Sequence, residues 1–149
     1  MNKPKRDITP WKYTNSQREI FNIFILGDVY QLCNNNLFDN EESSEYVRFF
    51  NLRKDSSGLT VLKGAKIRVF YLIWRLQIKI GYSSFGETWA STIIKKLGYD
   101  FEDYMDHRAT ASHKRTSKKN QDFRKKINQI LDLTDTEEAS MDEEAENAQ

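Results

Sequence analysis

One cysteine, two histidines and two prolines are all that this chain has of those residues, and each shortage excludes something. Cys33 alone rules out an internal disulfide framework and fits a reducing compartment, so a cytoplasmic location is expected. Cys33, His107 and His113 are too few for a closed Cys/His zinc site, and no metal or other cofactor is expected. The longest apolar run, residues 69–74, is six residues, whereas a spanning helix needs about 20; no membrane partner is expected. No charged-then-apolar leader opens the chain, so no secretory signal is expected. Pro4 and Pro10 lie near the start, so proline breaks no element interior. There is no glycine-rich phosphate loop; Gly58, Gly64, Gly81, Gly86 and Gly98 read as turns and caps. Net charge is also missing: 23 basic residues face 22 acidic ones, for +1.

That neutrality conceals segregation. Residues 1–12 carry +3, residues 13–106 carry −1, residues 107–126 carry +7, and residues 132–149 hold eight acids and no base. The parts matter more than the whole-chain charge. Aromatics respect the same boundary: 18 of 19 lie between Trp11 and Tyr104, with only Phe123 beyond. Because aromatic side chains dominate cores, the chain divides into a basic arm (1–13), a helical core domain (14–106), a basic segment with a satellite helix (107–133) and an acidic, disordered tail (134–149).

The pattern is that of a mainly α protein, a compact bundle of five or six helices. Ser16-x-x-Glu19 matches a capping box. Behind it, Phe21, Phe24, Ile25 and Val29 share a face that Ile20, Ile23 and Leu26 widen, the mark of a central helix ending by Asn34–Asn36. Ser43-Ser44-Glu45 opens a shorter segment, 46–52, that reads as helix or strand, and Asp55–Gly58 is a turn. Residues 65–80 are rich in β-branched residues. The alternation test rejects one strand, because odd positions are apolar through Ile73 and polar from Arg75. A helix instead gathers Arg68, Arg75 and Lys79 in a narrow arc, with Gly81 as its stop. Residues 84–97 form the cleanest helix, opened by Ser84-x-x-Glu87, lined by Trp89, Ala90, Ile93, Ile94 and Leu97, and closed by Gly98. Asp100 reads as an N-cap for Phe101, Tyr104 and Met105. Phe123, Ile127, Ile130 and Leu131 make the last amphipathic stretch.

Three features invite a functional reading. The helix over 84–97, its tight turn and the segment from Asp100 have the outline of a helix-turn-helix. Glu102, Asp103 and Asp106 argue against a DNA-reading second helix, since phosphates repel it; two packed helices are the plainer account. The Arg68/Arg75/Lys79 stripe lies in an acid-free stretch from Ser56 to Gly86, interleaved with Tyr71, Trp74, Tyr82 and Phe85. Arginine grips phosphate bidentately and aromatics stack on bases; the plainer account is a solvated helix face. The strongest signal is Arg108, Lys114, Arg115, Lys118, Lys119, Arg124, Lys125 and Lys126, opposed by Asp122 alone. Such a run neutralises several phosphates, or it is merely solvated, or it pairs with the acidic tail.

Arg108-x4-His113 is similar to the Arg-x(4–6)-His spacing of ribonucleases in the HEPN superfamily, which are α-helical. The resemblance covers six residues. It implies His113 as catalytic acid or base and Arg108 as phosphate binder, working across a dimer; Ala109 departs from the polar residue common after the arginine. No other catalytic constellation is present, and Cys33 reads as buried and inert. The expected function is therefore non-catalytic binding of duplex or single-stranded nucleic acid through residues 107–126, assisted by Arg68, Arg75 and Lys79. The alternative is a protein–protein adaptor or inhibitor, of the kind that phages and plasmids encode, docking through an aromatic surface or the acidic tail.

Overall fold

The computed structural model describes residues 19–134 except Tyr82. The basic arm, Ser16 of the first capping box and nearly all of the acidic tail lie outside the described residues. Among the described residues, six α-helices follow in order: α1 (Ile23–Cys33), α2 (Ser43–Phe50), α3 (Lys66–Ile80), α4 (Ser84–Lys96), α5 (Phe101–His107) and α6 (Lys118–Leu131). A single 3-10 turn, Thr110–Ser112, joins α5 to α6. The described residues contain no β-strand, only isolated bridges from Phe38 to Asn34 and Val61. The arrangement is compact and mainly α, as the periodicity predicts.

The centre is α3, not α1. Val69, Phe70, Tyr71, Leu72 and Ile73 are all fully buried, and α3 packs against α4, α5, α6 and the 3-10 turn. A helix surrounded on every side needs apolar residues on every side, which is why its sequence resembles a strand. Each such side chain contributes roughly 1.5–3 kcal/mol by leaving water. By contrast, α1 buries only Leu26, Val29 and Cys33, while Ile23 and Phe24 are 61% and 82% exposed. The predicted face of Phe21, Phe24, Ile25 and Val29 is corrected accordingly.

The start of α1 is corrected too. Glu19 does not cap it; its carboxylate pairs with Arg53 at 3.2 Å. Phe21 docks edge-on against Trp89 at 5.3 Å, and its N–H donates to Asn51 Oδ1 at 2.8 Å. These tertiary contacts hold residues 19–21 outside the helix. Asn22 then caps it by accepting from the Ile25 N–H at 2.8 Å. Similarly, α4 is capped by Ser83 rather than Ser84, its hydroxyl accepting from the Gly86 N–H at 3.2 Å. Gly86 is neither turn nor cap. It lies in the first turn of α4, where a Cβ would drive into the Gly81 carbonyl, so only glycine lets α3 and α4 meet this closely.

The 46–52 segment resolves as helix α2 through Phe50, packed on α1, with Asn51 and Leu52 in a turn. Its opening residue pattern hides a buried acid. Glu45 accepts from the Ser56 hydroxyl, from the Gly58 N–H at 2.8 Å and from Arg48 Nε at 3.0 Å. It ties the Asp55–Gly58 turn to α2. Trp89 fixes the other side by donating to the Phe50 carbonyl at 2.8 Å.

The last helix is no satellite. Phe123, Ile127 and Leu131 belong to the main core cluster, and α6 packs against both α3 and α1. Ser117 caps it by accepting from the Asn120 N–H at 3.1 Å.

Candidate nucleic-acid interface

The predicted binding residues separate into two sets. Three arginines are interior. Arg68 is 7% exposed, Arg75 5% and Arg124 1%. Arg75 Nε donates to Asn128 Oδ1 at 2.8 Å, and its terminal nitrogen donates to the Thr134 carbonyl at 3.0 Å. Asn128 in turn donates to the Tyr71 hydroxyl at 2.9 Å. Arg124 donates to the Ala111 carbonyl at 3.1 Å. Arg68 reaches Asn120 Oδ1 at 3.4 Å. The pairs 68–120 and 75–128 advance together, so α3 and α6 run side by side in the same direction. Arg75 and Arg124 are thus struts of the interior, and the expected solvent-facing arginine stripe on α3 does not exist. The stripe is buried because α6 lies along it.

Lys79, in the last turn of α3, is exposed, and no described contact joins it to α6. Arg108 is half-buried. Its guanidinium lies 5.6 Å from the Trp74 ring centre and 5.8 Å from that of Tyr104, with Met105 Sδ 3.3 Å from one nitrogen. Arg75 approaches the same indole at 5.2 Å. Cation–π contact of this kind holds Arg108 to the body.

The remaining six lie at the surface. Lys114, Arg115, Lys118, Lys119, Lys125 and Lys126 are all exposed. Within α6 the reason is periodic: Phe123, Ile127 and Leu131 turn inward, so 118, 119, 125 and 126 must turn outward. Lys118 pairs with Asp122 at 3.2 Å, one turn along. That is the only acid between His107 and Leu131. A cationic strip therefore runs from the loop before α6 along its solvent face.

A small cleft opens beside it. About 110 Å³ in volume, it is bounded by Leu32 of α1 and Asn36 just after it, by Arg68 of α3, and by Lys119, Asp122, Phe123 and Lys126 of α6. Burial pushes the Arg68 guanidinium below its ordinary pKa. Sequence reasoning finds Arg68 and both lysines but misses Leu32 and Asn36, because only the packing of α1 on α6 brings them there.

Elsewhere the chemistry is structural. Burial raises the Cys33 thiol far above its usual range, which leaves it inert. Asp103 is held below the usual carboxylate range by Lys66, at 3.0 Å, and His107, at 2.8 Å. His113 is exposed beyond the 3-10 turn, while Arg108 is engaged on the rings of Trp74 and Tyr104. Among the described residues, no group of three or more His, Cys, Asp or Glu is placed to hold a metal, and no helix is long and apolar enough to cross a membrane. The helix-turn-helix outline is present, but its second helix, α5, is seven residues long and exposes Glu102 and Asp106.

No family model, no curated protein and no solved structure matches this chain.

Proposed function

We propose that this protein is a cytoplasmic, non-catalytic accessory or regulatory factor that binds nucleic acid by its phosphates, using Lys114, Arg115, Lys118, Lys119, Lys125 and Lys126. The observation that carries the reading is that Arg115, Lys118, Lys119, Lys125 and Lys126 are exposed along one stretch of chain in which Asp122 is the only acid in sequence. Phosphate contacts of this sort position a protein without reading sequence. Arg75 and Arg124 drop out as direct contacts, since each is committed to the interior.

Fluorescence anisotropy with labelled duplex and single strands across a salt series tests it. Roughly four to five neutralised phosphates give a slope of about −4 in log K against log salt for a duplex. Replacing Lys119, Lys125 and Lys126 by glutamine should flatten that slope by about 2–3. No binding of either form at low salt removes the reading. RNA cleavage that disappears in His113→Ala would assign ribonuclease activity in its place.

One observation favours the adaptor reading. Ile23 and Phe24 are exposed on α1, and Ile23 borders a cleft of about 250 Å³ shared with Ser44, Val47 and Arg48 of α2. Aromatic anchors of this kind carry protein contacts. Loss of a co-purifying protein in Phe24→Ser, with nucleic-acid affinity absent throughout, would support it.

A further inference from the structure

The small cleft between α1, α3 and α6 has a buried cation in its wall. Arg68 is 93% buried, given its 7% exposure, and its Nε has no hydrogen-bond partner. Its one described hydrogen bond, to Asn120, is long at 3.4 Å. No carboxylate among the described residues pairs with it. A buried charge lacking a counter-charge is costly, and burial already biases this guanidinium against its charged form. An anion in the cleft offsets both.

The rim supplies what such an anion needs. Lys119 and Lys126 lie seven residues apart on α6, about 10 Å along its axis, and their flexible stems span that gap. Both are exposed, and neither has an ion-pair partner among the described residues. The amide of Asn36 is fixed by donating to the Leu32 carbonyl at 3.1 Å. The one acid in the lining, Asp122, is held by Lys118 at 3.2 Å. Three cations thus line a hollow of about 110 Å³ against a single carboxylate, which Lys118 partners from outside the lining. The volume exceeds the roughly 10–15 Å³ that admits one water, leaving space for a larger polar group.

We infer that this cleft is the seat of a single phosphate group, with Arg68 forming its wall and Lys119 and Lys126 closing over it. The seat stands on its own geometry. Only the source of the phosphate, a nucleic-acid backbone or a small phosphorylated molecule, rests on the function proposed above.

The test is a heteronuclear NMR titration of the full chain with inorganic phosphate, against sodium chloride at matched ionic strength. Saturable shifts at Arg68 Nε–H, Asn36 and Lys119 are expected, and chloride should not reproduce them. Lys119→Gln combined with Lys126→Gln should weaken phosphate binding at least about tenfold. Lys95→Gln with Lys96→Gln, on exposed α4 positions, should leave it unchanged, and Arg68→Lys should keep the fold while lowering affinity. Unmoved cleft signals, or shifts equal to those in chloride, overturn the seat whatever nucleic acid does. Saturable phosphate binding without oligonucleotide binding keeps the seat, removes the proposed function and assigns a small phosphorylated ligand. Oligonucleotide shifting the same signals more tightly than a nucleoside monophosphate assigns the backbone as the source.

Discussion

Glu45 shows how a residue's place changes its meaning. By sequence it is an ordinary acid at the start of a short segment that reads as helix or strand. In the fold its side chain is 1% exposed and receives donors from Ser56, Gly58 and Arg48. Burial alone would raise its pKa, but hydrogen bonds from Ser56, Gly58, Ser57 and Arg48 outweigh burial and hold it below the carboxylate range. A depressed folded-state pKa stabilises above the unfolded value of about 4.3, and that contribution disappears as pH falls through the folded value. Glu45→Gln should therefore cost about 2 kcal/mol at neutral pH by urea denaturation. The cost should shrink once the medium is acidic enough to protonate Glu45 in the parent. A constant difference down to the acid limit would contradict this. Nothing in the sequence marks Glu45 for burial. The signal is tertiary, because its partners lie 11 and 13 residues away in a turn.

At the scale of elements, the α3–α6 seam decides which basic residues are available. Both helices are legible in sequence, and so is the inward set Phe123, Ile127 and Leu131. Their pairing is not. Periodicity puts Arg68 and Arg75 on one face of α3 without saying whether water or another helix meets that face. Arg124 gives a weak hint, since it lies between Phe123 and Ile127 on a face otherwise apolar. Asn128, one turn later, repeats it. Polar residues at such positions serve each other across a packed seam, as Arg75 and Asn128 do at 2.8 Å. Arg75→Ala removes the donor and leaves the buried Asn128 Oδ1 without it. The expected loss is about 2–4 kcal/mol in chemical denaturation. The salt slope for nucleic acid should be unchanged in the folded fraction. A variant of full stability with a flatter slope would return Arg75 to the binding surface.

For the molecule as a whole, the near-zero net charge is a sum of opposed parts. Six exposed cations precede a segment in which residues 135–149 hold seven acids. Over a screening length of about 8–10 Å, nearby segments of opposite sign feel each other. Ending the chain at Thr134 should tighten nucleic-acid binding at low salt, and the gain should fade as salt rises. Anisotropy with both chains, with circular dichroism as a check on helicity, measures it. Equal affinities at every salt would show that the tail does not compete for the strip.

By itself the sequence determined that this is a helical protein, where most of its helices run, and that positive charge gathers between residues 107 and 126. Those follow from local spacing: 3.6-residue periodicity, capping residues and the run of charges along the chain. Only the tertiary structure decided which helix is central, where α1 and α4 begin, and that Arg68, Arg75 and Arg124 are buried while six neighbours are exposed. The reason is that burial and pairing depend on which faces meet. That is settled by long-range contacts such as Phe21 on Trp89 and Arg75 on Asn128, between residues with dozens of positions of chain between them.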